Sequence, residues 1–74
     1  MNEHDRVVLR ADLPAEGLKC GDVGTIVHVY RDRKAYEVEF ITLEGETVAV
    51  LTLETDQVRP IKPGEITHAR DRAA

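Results

Sequence analysis

Alternation of apolar and polar side chains is clearest in the middle of the chain. Tyr36, Val38 and Phe40 fall on one face of an extended segment, and Glu37 and Glu39 fall on the other. A period of two is typical of a strand with one buried face. The pattern therefore predicts a strand with an aromatic and aliphatic core face and an exposed acidic face.

Shorter apolar runs predict four more strands around this one. The five predicted strands cover residues 6–10, 23–30, 35–41, 47–53 and 58–61. They are joined by a long first loop at 11–21, tight turns at 31–34 and 43–46, and a single 3₁₀ turn at 54–57 before the last strand. This order predicts an all-β fold, a small five-stranded SH3-like barrel over residues 1–61. Residues 62–74 are predicted to form a flexible tail. An OB-fold usually carries a helix between its third and fourth strands, and no segment here suits one.

Gly21 and Gly24 stand three residues apart at the start of the second predicted strand. Glycine takes positive φ without steric cost and lets another backbone come close. We therefore expect at least one of these two glycines to have positive φ or to pack against a neighbouring strand, as a structural turn that opens the sheet.

The fourth predicted strand carries more apolar residues than one buried face can use. Val48 and Val50 alternate with Ala49, Leu51 and Leu53, so one set is predicted to face outward unless the first loop covers it. An exposed apolar strand beside acidic side chains is typical of a protein contact, either with another copy or with a different chain. The predicted contact residues are Glu37, Glu39, Glu44, Glu46, Ala49 and Leu51.

Composition limits the class of partner and the cellular compartment that we expect for this domain. The 74 residues carry 14 acidic and 10 basic side chains, a net charge of −4, which argues against a nucleic-acid binder with a basic face. The lone Cys20 allows no intrachain disulfide and suits a reducing cytoplasm. The first six residues are polar and contain no apolar segment, so we expect no signal peptide. No apolar run approaches about 20 residues, so we expect no membrane span.

Candidate reactive groups are few and scattered. His4, His28 and His68 lie in separate regions without the spacing of a metal site, so no metal or cofactor is predicted. Cys20 and His28 are eight residues apart and lack an evident orienting group. We therefore predict no catalytic residues, no enzyme activity and no small-molecule substrate.

Other binding modes have weaker support in the residues. The only basic cluster, Arg31, Arg33 and Lys34, lies in the turn at 31–34 and could contact phosphates. Tyr30 alone does not make the aromatic groove that proline-rich peptides need.

Five segments together resemble a family of small bacterial and cyanobacterial proteins of unknown function with an SH3-like fold. The segments are GDVGTIV at 21–27, YEVEF at 36–40, GET at 45–47, VLTL at 50–53 and QVRP at 57–60. Members of this family are often encoded beside a second small, toxin-like protein, which implies a protein partner. The first segment is also similar to ribosomal KOW elements.

The predicted function is a non-catalytic protein-interaction module, an antitoxin-like or accessory partner of another protein. Two alternatives stay open: a KOW-like nucleic-acid-binding barrel, and a small subunit or domain of a multisubunit enzyme. The acidic face favours a protein partner over nucleic acid, which we do not expect the chain to bind tightly.

Overall fold

A computed structural model describes residues 1–71, which form five strands and two 3₁₀ turns without an α-helix. The strands are β1 (Arg6–Leu9), β2 (Val23–Val29), β3 (Ala35–Ile41), β4 (Thr47–Glu54) and β5 (Val58–Pro60). The all-β class is confirmed, and each strand end lies within one residue of its predicted position.

The five strands form one antiparallel sheet in the order β4-β3-β2-β1-β5. β4 and β5 are therefore its two edges. Within residues 1–71 no pairing joins these edges, so the sheet is not closed by hydrogen bonds. Closure into a barrel stays a prediction.

The core lies on one face of this sheet. Tyr36, Val38 and Phe40 of β3 are buried there as predicted, whereas Glu37 and Glu39 on the opposite face are half-buried rather than fully exposed. The other buried side chains of the core come from β1, the first loop, β2, β4 and β5: Val7, Leu9, Leu18, Ile26, Leu53 and Val58. Every strand thus contributes to a single apolar cluster, the main source of stability in a small domain.

The first loop contains a 3₁₀ turn that was not predicted, at Pro14–Glu16. Proline at its first position presets φ, and Gly17 ends the turn in the left-handed conformation. Leu13 and Leu18 pair across it, and the side chain of Leu18 is buried in the core. The predicted 3₁₀ turn before the last strand is present at Thr55–Gln57.

The two glycines before and within β2 have different roles. Gly21 has a φ of 98°, and no atom lies within 4 Å of the position that a Cβ would take. Gly24 lies where β2 crosses β3, and a Cβ there would meet Val38 Cγ1 at 2.5 Å and the carbonyl oxygen of Glu39 at 3.1 Å. Gly21 supplies the turn conformation, and Gly24 supplies the close approach of two strands.

A β-bulge near the start of β4 decides which side chains face the core. Phe40 pairs with Ala49, but Ile41 pairs with Thr47, so Val48 is the extra residue. Val48 packs against the core, and Thr47 shares the outward face with Glu39. Without this bulge, Val48 would face outward, because a shift of one residue exchanges the faces of a strand.

Residues 62–71 form neither helix nor strand, and all of them are exposed. Two ion pairs nevertheless connect this segment to β5 and to the residue before β2. Glu65 receives two hydrogen bonds from Arg59 of β5, at 3.0 and 2.7 Å, and Arg70 donates to the carboxylate of Asp22. The flexibility predicted for 62–74 stays a prediction, and its last three residues lie outside the described part of the chain.

Candidate functional site

The side of the sheet opposite the core carries two of the residues predicted to contact a partner, Glu37 and Glu39. We call this surface the outer face. It is formed by side chains of β2, β3 and β4 and the residue after β2: His28, Tyr30, Glu37, Glu39, Val50 and Thr52. The pairing of His28 with Glu37, and of Glu37 with Thr52, places the three strands side by side in this order.

Glu37 is the centre of the polar contacts on the outer face. Its Oε1 atom accepts a hydrogen bond from the Tyr30 hydroxyl at 2.9 Å and another from the Thr52 hydroxyl. Both hydrogen bonds lower the pKa of Glu37 below its ordinary value, and the bond from Thr52 has the larger effect. A charge interaction with His28 lowers this pKa by a smaller amount. Glu37 is therefore held as an oriented carboxylate that bridges β2 and β4.

Glu39 is oriented in a similar way. The Thr47 hydroxyl donates to its Oε2 atom at 2.9 Å, and Val50 lies directly opposite Glu39 on β4. Glu44 and Glu46 are exposed in the turn that joins β3 to β4. The structure thus places two of the four predicted acidic residues on β3 and two in the turn that follows it. Thr47 comes directly after this turn, and its hydroxyl contacts Glu39 of β3.

The assignment of Ala49 and Leu51 to the same surface as these acids is wrong. Leu51 pairs with Val38 and Ala49 pairs with Phe40, so both side chains share the core face of the sheet. Leu51 is half-buried and packs against the core cluster. The outward apolar residue of β4 is Val50, whose exposed fraction is 50%.

Tyr30 and His28 belong to the outer face and lie together there, a juxtaposition that was not predicted. Their rings are in edge-to-face contact, with centroids 4.9 Å apart and an interplanar angle of 88°. Beside Tyr30 lies a shallow open depression of about 620 Å³, lined by Tyr30, Arg31, Asp32, Ala35 and Thr52. The signal that could have found this pair is its spacing, because side chains two residues apart in an extended segment share a face.

The basic residues of that turn do not form an uninterrupted cationic surface. Asp32 lies among them, and its carboxylate accepts a hydrogen bond from the Lys34 backbone N–H at 2.9 Å. Arg33 has a φ of 59°, and its N–H donates to the carbonyl oxygen of Tyr30, which closes the turn. Arg31 and Lys34 are exposed.

The remaining reactive groups stay separate in the described part of the chain. Within residues 1–71, no three His, Cys, Asp or Glu side chains are grouped closely enough to hold a metal ion. The thiol of Cys20 is exposed, and its backbone N–H donates to the Asp12 carboxylate at 2.9 Å. No helix over the same residues is long and apolar enough to cross a membrane.

Residues 3–60 match a family model described as a domain of unknown function, DUF4926. The match covers well over half of the 74 residues and includes all five strands. The chain therefore belongs to the DUF4926 family. Comparison with curated proteins finds no match, and neither does comparison with solved structures.

Proposed function

We propose that this domain is an SH3-like barrel that acts as a non-catalytic protein-interaction module, and that the outer face contacts the partner. The connectivity supports the fold: a long first loop, two tight hairpin turns, and a 3₁₀ turn between β4 and β5. The exposed thiol of Cys20 suits a reducing compartment, and we propose the cytoplasm.

The observation that carries this proposal is the position of Val50. It is a β-branched apolar side chain, half exposed, at the middle of β4, with the carboxylate of Glu39 on the neighbouring strand. An apolar centre with a charged surround is the usual composition of a protein contact surface. The charges accelerate encounter, and the apolar centre sets the residence time.

The partner that we propose is another small protein, because the sequence resembles a family whose members are often encoded beside one. In that role the chain is an antitoxin-like or accessory subunit. A net charge of −4 and the oriented carboxylates of Glu37 and Glu39 favour a basic surface on the partner.

The test is co-expression with the product of the adjacent reading frame, followed by calorimetric titration of the purified pair. Val50→Lys should weaken binding by at least about tenfold. Ile61→Lys is the matched control, because Ile61 is also a half-exposed β-branched residue, at 43%, but follows β5 at the opposite edge of the sheet. Equal affinities of the two variants would contradict a contact centred on Val50. If the partner proves to be an enzyme that gains activity on binding, the chain is its accessory subunit.

Nucleic-acid binding through Arg31, Arg33 and Lys34 is the competing proposal. It predicts retention on heparin and binding to a nonspecific duplex that weakens steeply with salt. We expect neither, because Asp32 and the net negative charge oppose it. A micromolar complex at physiological salt that is lost when the three basic residues are replaced by alanine would replace the protein-contact proposal.

A further inference from the structure

The outward edge of β4 has backbone groups without partners among residues 1–71. In an antiparallel pair, alternate residues exchange hydrogen bonds with the neighbouring strand. Thr55 lies opposite Lys34, and its N–H donates a hydrogen bond to the Lys34 carbonyl oxygen. Counting back by two residues, Leu53 and Leu51 are therefore the residues of β4 that exchange hydrogen bonds with β3. The intervening residues, Val50 and Thr52, direct N–H and C=O away from β3, toward the edge.

The two edges of the sheet differ in how they are protected. β5 is three residues long and ends in Pro60, which has no N–H to donate. β4 is eight residues long and contains neither proline nor a basic residue, and its bulge at Val48 precedes the regularly paired stretch from Ala49 to Leu53. At its end, the Glu54 N–H donates to the Gln57 side chain at 2.7 Å, so the exposed part of the edge centres on Val50 and Thr52.

We propose that the edge of β4 binds an extended segment of a partner protein by antiparallel β-strand addition, and that basic residues alternate with apolar ones in this segment. The inference rests on the proposed function, because it specifies how a partner engages the outer face. Main-chain hydrogen bonds would supply affinity, and the alternate side chains would supply specificity.

Charge decides between a foreign strand and a second copy. Acidic side chains lie at both ends of β4, Glu46 before it and Glu54 at its last position. In the antiparallel register that places Val50 opposite Val50 of a second copy, Glu46 falls opposite Glu54, and like charges directly opposite are destabilising. Basic side chains on an added strand would instead lie next to Val50 and Thr52, about two strand spacings, roughly 10 Å, from the β3 carboxylates.

The test uses a peptide of alternating lysine and valine, as long as β4, with capped ends. Val50 and Thr52 would each exchange hydrogen bonds with the peptide residue directly opposite, and opposite residues have their side chains on the same face. Peptide lysines on the outer face would therefore be the residues whose N–H groups point to β4. Two isomers with equal charge are compared with the parent, one methylated on the lysine amides and the other on the valine amides. Calorimetry gives the affinities, and amide NMR spectra of the full chain locate the site.

Methylation of the lysine amides should weaken binding by at least about tenfold, and methylation of the valine amides should change it by less than about twofold. The amide signals of Val50 and Thr52 should shift and become protected from exchange. Equal affinity for both isomers would overturn strand addition. If the partner protein still binds and Val50→Lys still weakens it, the outer-face contact survives that result, so the two proposals fail separately.

Val50→Pro provides the matching change in the protein. It removes an N–H that points away from β3, so the β3–β4 ladder keeps its hydrogen bonds. Peptide binding should be lost, whereas Val50→Thr should retain it. Sedimentation of the wild type tests whether a second copy of the chain occupies the edge of β4 instead. A concentration-dependent dimer that Val50→Pro abolishes would assign the edge to a second copy and overturn the proposal.

Discussion

Replacement of Gly24 by alanine should destabilise the domain more than replacement of any other glycine that the structure describes. The new Cβ would overlap Val38 Cγ1 at 2.5 Å and Phe40 Cε1 at 2.9 Å, and it would press on the Glu39 carbonyl oxygen. None of these atoms can give way easily. Val38 and Phe40 are 0% and 2% exposed, and the carbonyl belongs to the β3 backbone.

The magnitude follows from the packing. Overfilling a well-packed core lowers the free energy of unfolding by about 1–3 kcal/mol. Because three neighbouring groups cannot move away from the new Cβ, we expect a loss in the upper part of this range, about 2–3 kcal/mol. A domain of this size has a free energy of unfolding of about 4–11 kcal/mol. At about 4–8 °C per kcal/mol, the melting temperature should fall by roughly 8–24 °C. Circular dichroism during heating, with urea unfolding at 25 °C, measures both quantities.

Two controls separate overlap from backbone strain. Gly21→Ala meets no atom within 4 Å, so its cost should be only that of a positive φ, about 1–2 kcal/mol. Val38→Ala removes the atom that the new Cβ would meet first. The double variant Gly24→Ala/Val38→Ala should therefore be more stable than the sum of the single effects by at least about 0.5 kcal/mol. Additive effects, or a Gly24→Ala melt that matches the wild type, would refute the close approach of β2 and β3.

Three further predictions test other parts of the structure. Phe40→Ala should cost about 3–5 kcal/mol in urea unfolding, whereas Glu39→Ala should cost less than about 1 kcal/mol, and equal effects would mean the wrong register for β3. Leu51→Lys should lower the melting temperature far more than Val50→Lys, and the reverse order would place Leu51 outward. Hydrogen bonds from Arg59 first and from the Lys62 backbone N–H second lower the pKa of Glu65 from 4.5 to about 2. The contribution of this carboxylate to stability is therefore present above about pH 4.5 and is lost toward about pH 2. Glu65→Gln should remove this part of the pH dependence, measured by thermal melts across that range.

The local pattern of the chain was sufficient for the strands. Period-two alternation placed Tyr36, Val38 and Phe40 in the core because side chains on a strand must alternate between faces. Glycine positions marked the turn before β2 because few other residues adopt positive φ. The acidic face of β3 followed from the same alternation, although its hydrogen bonds to Tyr30 and Thr52 depend on the pairing of neighbouring strands.

The tertiary structure alone decided which apolar side chains of β4 are exposed. From the sequence, either alternating set could face outward, since both are apolar. The bulge at Val48 and the register against β3 bury Leu51 and leave Val50 outside. This bulge contains no glycine and depends on how β4 pairs with β3, so alternation within β4 alone cannot reveal it. The unpaired edge of β4 likewise became visible only in the order of the strands.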